Sequence, residues 1–158
     1  MTDAAFAAPA RVWTRIRGAL DAVPYSLLAL IARGATFSVF FRSGLVKISD
    51  WSATLALFHD EYRVPVLPPE IAARLATCLE LGVSSLVLVG LFTRASVLAL
   101  LGMVCVIQLF VYPMAWPDHI QWLAFMAVLL ARGPGVVSLD ALLGRLTGGG
   151  SVPAKAAS

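Results

Sequence analysis

Apolar side chains do not alternate with polar ones along this chain. They gather in four runs, Tyr25 to Ile48, Glu70 to Phe92, Ala95 to Tyr112 and Asp118 to Ala131. Without period-two alternation the runs do not read as strands, and an open sheet cannot satisfy its backbone in lipid. The first three reach or approach the ~20 residues a helix needs to cross ~30 Å of hydrocarbon. The fourth is shorter and calls for local thinning or a shared interface with its neighbours. The pattern predicts an all-α integral membrane protein, a four-helix up-down bundle over 25–48, 70–92, 95–112 and 118–131, with short interfacial helices beside it.

Helix punctuation agrees. Pro68 and Pro69 suit a first helical turn, Thr93 and Arg94 form a minimal turn, "YPMAWPD" places two prolines between the third and fourth helices, and "RGPG" at Arg132–Gly135 is a firm stop. Connections this short make neighbouring helices antiparallel. Within 1–24, Val12, Ile16, Leu20 and Val23 align at helical spacing with the arginines largely off that face, the pattern of a basic amphipathic helix on an anionic leaflet. Trp51, Leu55 and Phe58 repeat it in the first loop, with Ser49 or Asp50 as N-cap. Within 133–158, Leu139, Leu142, Leu143 and Leu146 share one side of a short helix, and "TGGGSVPAKAAS" has the composition of a disordered tail.

Composition removes the soluble alternative. Hydrophobic residues make up 59% of the chain and charged residues 13%, against about 25% charged in a globular domain. The net charge of +3 gives no reason to expect nucleic acid; the lipid bilayer is the expected partner. Arg11, Arg15, Arg17, Arg94, Arg132 and Arg145 fall on one side of the bundle, which makes both termini cytoplasmic. Lys47 and Arg63 lie on the other side, accompanied by Asp50, Asp60 and Glu61. Arg33 interrupts any signal-peptide core, and no small-x-small cleavage site follows it.

Polar residues inside the runs carry the chemistry. A charge at a helix centre costs ~2.5 to 3.5 kcal/mol and turns inward to a partner, so Glu80 needs a cation, and Arg33, Arg42 and Lys47 on the first helix are the candidates. Counted from Tyr25, Arg33 lies ~12 Å up its helix, and Glu80, counted back from Leu91, lies ~16 Å up; Arg42, at ~25 Å, matches less well. This predicts an Arg33–Glu80 ion pair or proton relay. Arg33, Phe37, Phe40, Gly44 and Lys47 fall within about 40° of one meridian, and that face should look inward. A bland reading gives Arg33 and Glu80 only a structural role, fixing helix register.

A second group, Lys47, Gln108, Trp116, His119 and Trp122 with Tyr112, gathers near the outer end. Trp and Tyr belts are ordinary at membrane interfaces, but Gln108 inside a helix needs hydrogen-bond partners. Glutamine, lysine and histidine within an aromatic rim suit a quinone's carbonyls and ring. Cys78 and Cys105 fall at similar depths on neighbouring helices, which makes a redox pair conceivable, though free cysteine usually acts as a small apolar residue. His59, His119, Met103, Met114 and Met126 lack metal-ligand spacing. No phosphate loop, dinucleotide fingerprint, haem motif or nucleophile elbow occurs, so no catalytic residue or metal site is assigned.

Together "ARGATFSVFFRSGLVKI", "ELGVSSLVLVGLFTR", "VYPMAWPDHIQW" and "ARGPGVVSLDALL" resemble the DoxX family of small bacterial inner-membrane proteins. The resemblance covers Ala32 to about Leu142, and places Arg33, Gly44, Lys47, Glu80, Gly90, Arg94, Pro113, His119, Trp122, Gly133 and Asp140 at motif positions. It implies four transmembrane helices with both ends cytoplasmic. It also implies a redox neighbourhood: relatives are subunits of thiosulfate:quinone oxidoreductases or partners in thiol and oxidant detoxification, and some lie beside genes for copper-handling peptides. Two function classes follow, a membrane subunit of a quinone-linked or detoxifying redox complex working with redox partner proteins, and a noncatalytic scaffold or accessory protein for metal or oxidative stress.

Overall fold

The computed structural model describes residues 3–148, and all regular structure among them is helical. Seven helical elements follow in order: α1 (Asp3–Asp21), α2 (Tyr25–Ser49), α3 (Trp51–Leu57), α4 (Pro69–Val89), α5 (Thr93–Val111), α6 (Trp116–Arg132) and α7 (Leu139–Leu146). Helices α2, α4 and α5 are long and apolar enough to cross a membrane. The fourth predicted segment forms α6, a 17-residue helix. The tail expected to be disordered lies, from residue 149 on, outside the described residues.

Helix α2 is central, packing along α4 on one side and α6 on the other, while α5 closes the group against α6 and α4. The core follows from that arrangement: Ala29, Phe40, Val87, Val97, Leu100, Val104, Met126 and Leu129 are buried together. Leu27, Leu28, Leu30, Ile31, Leu45, Val46 and Ile48 stay exposed on the other side of α2. Apolar groups so placed are stable against acyl chains and costly against water. Of the predicted inward meridian of α2, Arg33, Phe40, Gly44 and Lys47 are buried and Phe37 is half-buried.

Special backbone positions explain how α2 and α4 fit. Gly44 lies against α4 so closely that a β-carbon there would meet Leu81 Cγ and Cδ2 at 2.7 Å and Glu80 Cβ at 3.1 Å. Gly90 ends α4 at φ 72°, with its N–H and that of Leu91 both returning to the Leu86 carbonyl, at 2.9 and 3.0 Å. Only glycine takes that left-handed cap without strain.

Helix α3 begins where Asp50 accepts from the Ala53 N–H at 2.9 Å, so of the two expected caps Asp50 is the one used. After α3 the chain widens into a π-helical turn, Phe58–Tyr62. Two further π-turns lie within the long helices, Leu79–Val83 in α4 and Ile107–Val111 in α5. Val12, Ile16 and Leu20 on α1, with Val23 just beyond it, are exposed, as are Leu139, Leu142, Leu143 and Leu146 on α7.

Candidate functional site

The sequence-based pairing of Arg33 with Glu80 is corrected by the structure. Glu80 pairs with Lys47, whose Nζ stands 2.8 Å from both carboxylate oxygens. Ser43 completes the group, donating to Glu80 Oε1 at 3.2 Å and accepting from Lys47 at 3.0 Å. Depth counting failed because the start of α2 and the end of α4 do not lie in one plane. Arg33, not Tyr25, is level with the end of α4, an offset of eight residues or ~12 Å. That moves Lys47 opposite Glu80, where Gly44 brings the two backbones together.

Arg33 has a different task. Buried at 4% exposure, its guanidinium donates to backbone carbonyls: Nε to Val87 and Leu88 at 3.1 and 3.0 Å, a terminal nitrogen to Leu88, and the other to Pro134 at 3.2 Å and to Val137. The last carbonyls of a helix lack intrahelical donors and carry the negative end of its dipole, so a cation is favourable there. Arg33 thus caps α4 and binds the loop that precedes α7. From the first turn of α7 Asp140 accepts from the N–H groups of Phe92 and Thr93 at 2.8 and 2.9 Å and from the Thr93 hydroxyl at 2.9 Å.

The Lys47–Glu80 pair opens onto a cavity of about 680 Å³. Its lining is mainly apolar, contributed by α4, α5 and the α3–α4 connection, with His119 and Trp122 of α6 on one side. All three π-turns contribute, through Phe58 and Tyr62, through Leu79 and Glu80, and through Ile107, Phe110 and Val111. A π-turn inserts a residue into the helical repeat and shifts the following side chains around the axis, and such turns gather at functional sites. The rim is aromatic, with Tyr62 edge-on to Phe58 at 4.9 Å and to Tyr112 at 5.5 Å. Burial raises the Tyr62 phenol above its ordinary value, and Tyr112 donates to Glu61 at 2.6 Å.

Of the residues singled out from the sequence, Lys47, Glu80, His119 and Trp122 come together on this cavity. Gln108 stands behind them and meets the buried His119 at Nδ1, 2.6 Å from its amide oxygen. Trp116 is outside the lining and half exposed. Cys78 and Cys105 are free and exposed. The sequence reading missed Ser43, Tyr62 and the 64–67 segment at the mouth. A serine one turn before Lys47 was a legible signal for Ser43; nothing in the spacing announced the π-turns.

A helical membrane protein with a buried ion pair set beside a half-open apolar cavity is the class this architecture defines. The DoxX family model matches residues 28–113, more than half of the chain. The chain belongs to the DoxX family. That match includes Arg33, Gly44, Lys47, Glu80 and Gln108 and ends before His119. No curated protein and no solved structure matches the chain.

Proposed function

We propose that this protein is a four-span subunit of the bacterial inner membrane, α2, α4, α5 and α6 forming an up-down bundle with both termini cytoplasmic, and that it serves a redox complex by binding a quinone-class ring in the cavity. Helix α6 completes the bundle despite its length, because its packing against α2 and α5 gives it a shared interface. Arg15, Arg17, Arg94, Arg132 and Arg145 then mark the cytoplasmic side. Electrons come from a partner protein, since the chain offers no electron-carrying motif of its own.

The observation carrying this reading is the cavity itself: mostly apolar, large enough for a substituted ring, and supplied at one side with a desolvated ion pair and a histidine. Ligand sites have that composition, a hydrophobic enclosure with few convergent polar groups. Lys47 and Glu80 fix the wall on which the ring rests, His119 reaches the ring's oxygen, and Trp122 and Tyr62 supply aromatic faces.

Titration of the detergent-purified protein with a short-chain hydroquinone kept reduced under argon, followed by tryptophan fluorescence, tests it. Saturable binding that weakens at least tenfold in His119→Ala supports the site. Binding that is absent, or unchanged in both His119→Ala and Trp122→Ala, leaves the noncatalytic scaffold as the better account.

A further inference from the structure

The hydrogen-bonding capacity of the cavity wall can be counted group by group. Lys47 carries three N–H donors, and three acceptors already hold them, Ser43 Oγ at 3.0 Å and the two Glu80 oxygens at 2.8 Å each. The ammonium that seemed suited to a carbonyl ligand therefore has no donor left. Ser43 has committed its own proton to Glu80.

His119 is the open group, and its tautomer is fixed from behind. The Gln108 amide nitrogen lies 2.7 Å from the Pro113 carbonyl, an oxygen that can only accept, so the amide cannot be turned over. Its Oε1 then faces His119 Nδ1 at 2.6 Å and must receive a proton from it. A neutral imidazole with hydrogen on Nδ1 has a bare lone pair on Nε2. His119 is 2% exposed, Nε2 has no hydrogen bond to the described residues, and no enclosed side-chain polar atom among them is left without a partner. The nitrogen turned to the cavity is thus an acceptor in want of a donor. Glu80, as a carboxylate, adds further acceptor capacity. Trp122 also lines the cavity, its indole N–H without a hydrogen bond among the described residues, and the Tyr62 hydroxyl can act either way.

We infer that the cavity selects the reduced form of its ligand, a hydroquinone whose hydroxyl donates to His119 Nε2, over the corresponding dione. Gln108 is the positioning residue that enforces the choice. A dione presents only acceptors, so placing one against Nε2 sets two lone pairs face to face and leaves both unmatched, and sites built this way discriminate strongly. The preference rests on the quinone-class reading above. Binding the reduced form more tightly raises the midpoint potential of the bound couple, by ~30 mV for each tenfold in affinity of a two-electron pair.

The test measures both forms of one short-chain benzoquinone by calorimetry, under argon at mildly alkaline pH, on the detergent-solubilised full chain. Hydroquinone should bind at least fivefold tighter than the dione. Gln108→Leu should bring that ratio toward one, because the released imidazole can carry its proton on Nε2 as well, accepting less from the hydroquinone and donating to the dione. Histidine side-chain NMR of the wild-type protein should find His119 as the Nδ1–H tautomer, a readout that does not depend on a variant folding. Equal affinities, a tighter dione, or an Nε2–H tautomer overturn the selection while leaving the ligand site in place. Binding of neither form removes the ligand class and the selection with it.

Discussion

Asp140 caps a helix to which it does not belong: its carboxylate holds the backbone N–H of Thr93 at 2.9 Å across 47 residues of sequence. The residue at the N-cap of α5 is Phe92, which has no side-chain acceptor and sits at φ 47°. The capping function that serine or aspartate usually provides locally is supplied from the first turn of α7, with Thr93 Oγ1 and the Phe92 N–H bound by the same group.

Replacing Asp140 with Ala should lower stability by about 0.5–2 kcal/mol, the range for loss of an N-cap acceptor. Asp140→Asn should recover part of it, since one oxygen remains. Chemical denaturation in a mild detergent, followed by circular dichroism, gives the comparison.

Lys47 and Glu80 should behave as a unit. Removing one partner leaves a desolvated charge, and breaking a buried pair typically costs about 3–5 kcal/mol. Lys47→Met and Glu80→Leu should each destabilise strongly, and the double variant should be more stable than either single one. A double-mutant cycle on the same denaturation curves reads the coupling; additive losses would show that the two side chains act independently.

Arg33→Lys should not be conservative. The arginine reaches carbonyls on both α4 and the 134–137 loop, and a lysine has three donors on one point rather than five on a planar fork. We expect a loss of about 1–3 kcal/mol, the cost of orphaned buried acceptors. Amide exchange should accelerate at the end of α4 and in the loop together.

Gly90→Ala should be among the most damaging small substitutions. Its φ of 72° disfavours any β-carbon by about 1–2 kcal/mol, and that carbon would lie 2.5 Å from Ser138 Cβ and 3.1 Å from Arg33 Cζ. Adding Ser138→Gly should relieve the Ser138 Cβ contact but not the dihedral penalty or the approach to Arg33, and is read against Ser138→Gly alone because that change also removes the α7 cap. Partial recovery of the melting temperature in the double variant would show both contributions.

Tyr62 supplies a pH dependence. Burial holds its phenol above the ordinary value of 10 in the folded protein, so below that pH both folded and unfolded chains keep the proton. As pH rises past it the unfolded chain releases its proton first, and stability falls. Tyr62→Phe should flatten that alkaline decline, measured as melting temperature against pH.

Much of the fold was legible because lipid imposes long apolar runs on helices, and prolines and glycines mark where they stop. The inward face of α2 was legible for the same reason: Arg33, Gly44 and Lys47 recur at helical spacing among apolar neighbours. The partner of Glu80 was not, since periodicity fixes angles around a helix but not the axial offset between two helices. That offset is set at Gly44 and at the Arg33 cap, by contacts between segments far apart in sequence. His119 and Trp122 were readable as a rim, yet the role of Gln108 emerged only once the Pro113 carbonyl was seen to fix its amide.

The Arg33 and Asp140 staples also set an order of assembly. The groups that close the α4–α5 corner come from residues 134–140, which leave the ribosome after every long helix has been made. Until then the Gly90 carbonyl and the Phe92 and Thr93 amides at that corner lack the partners that Asp140 brings, while the Val87 and Leu88 carbonyls already have Arg33. A nascent chain stopped at residue 132 would retain all the apolar segments but lack the latch that joins them.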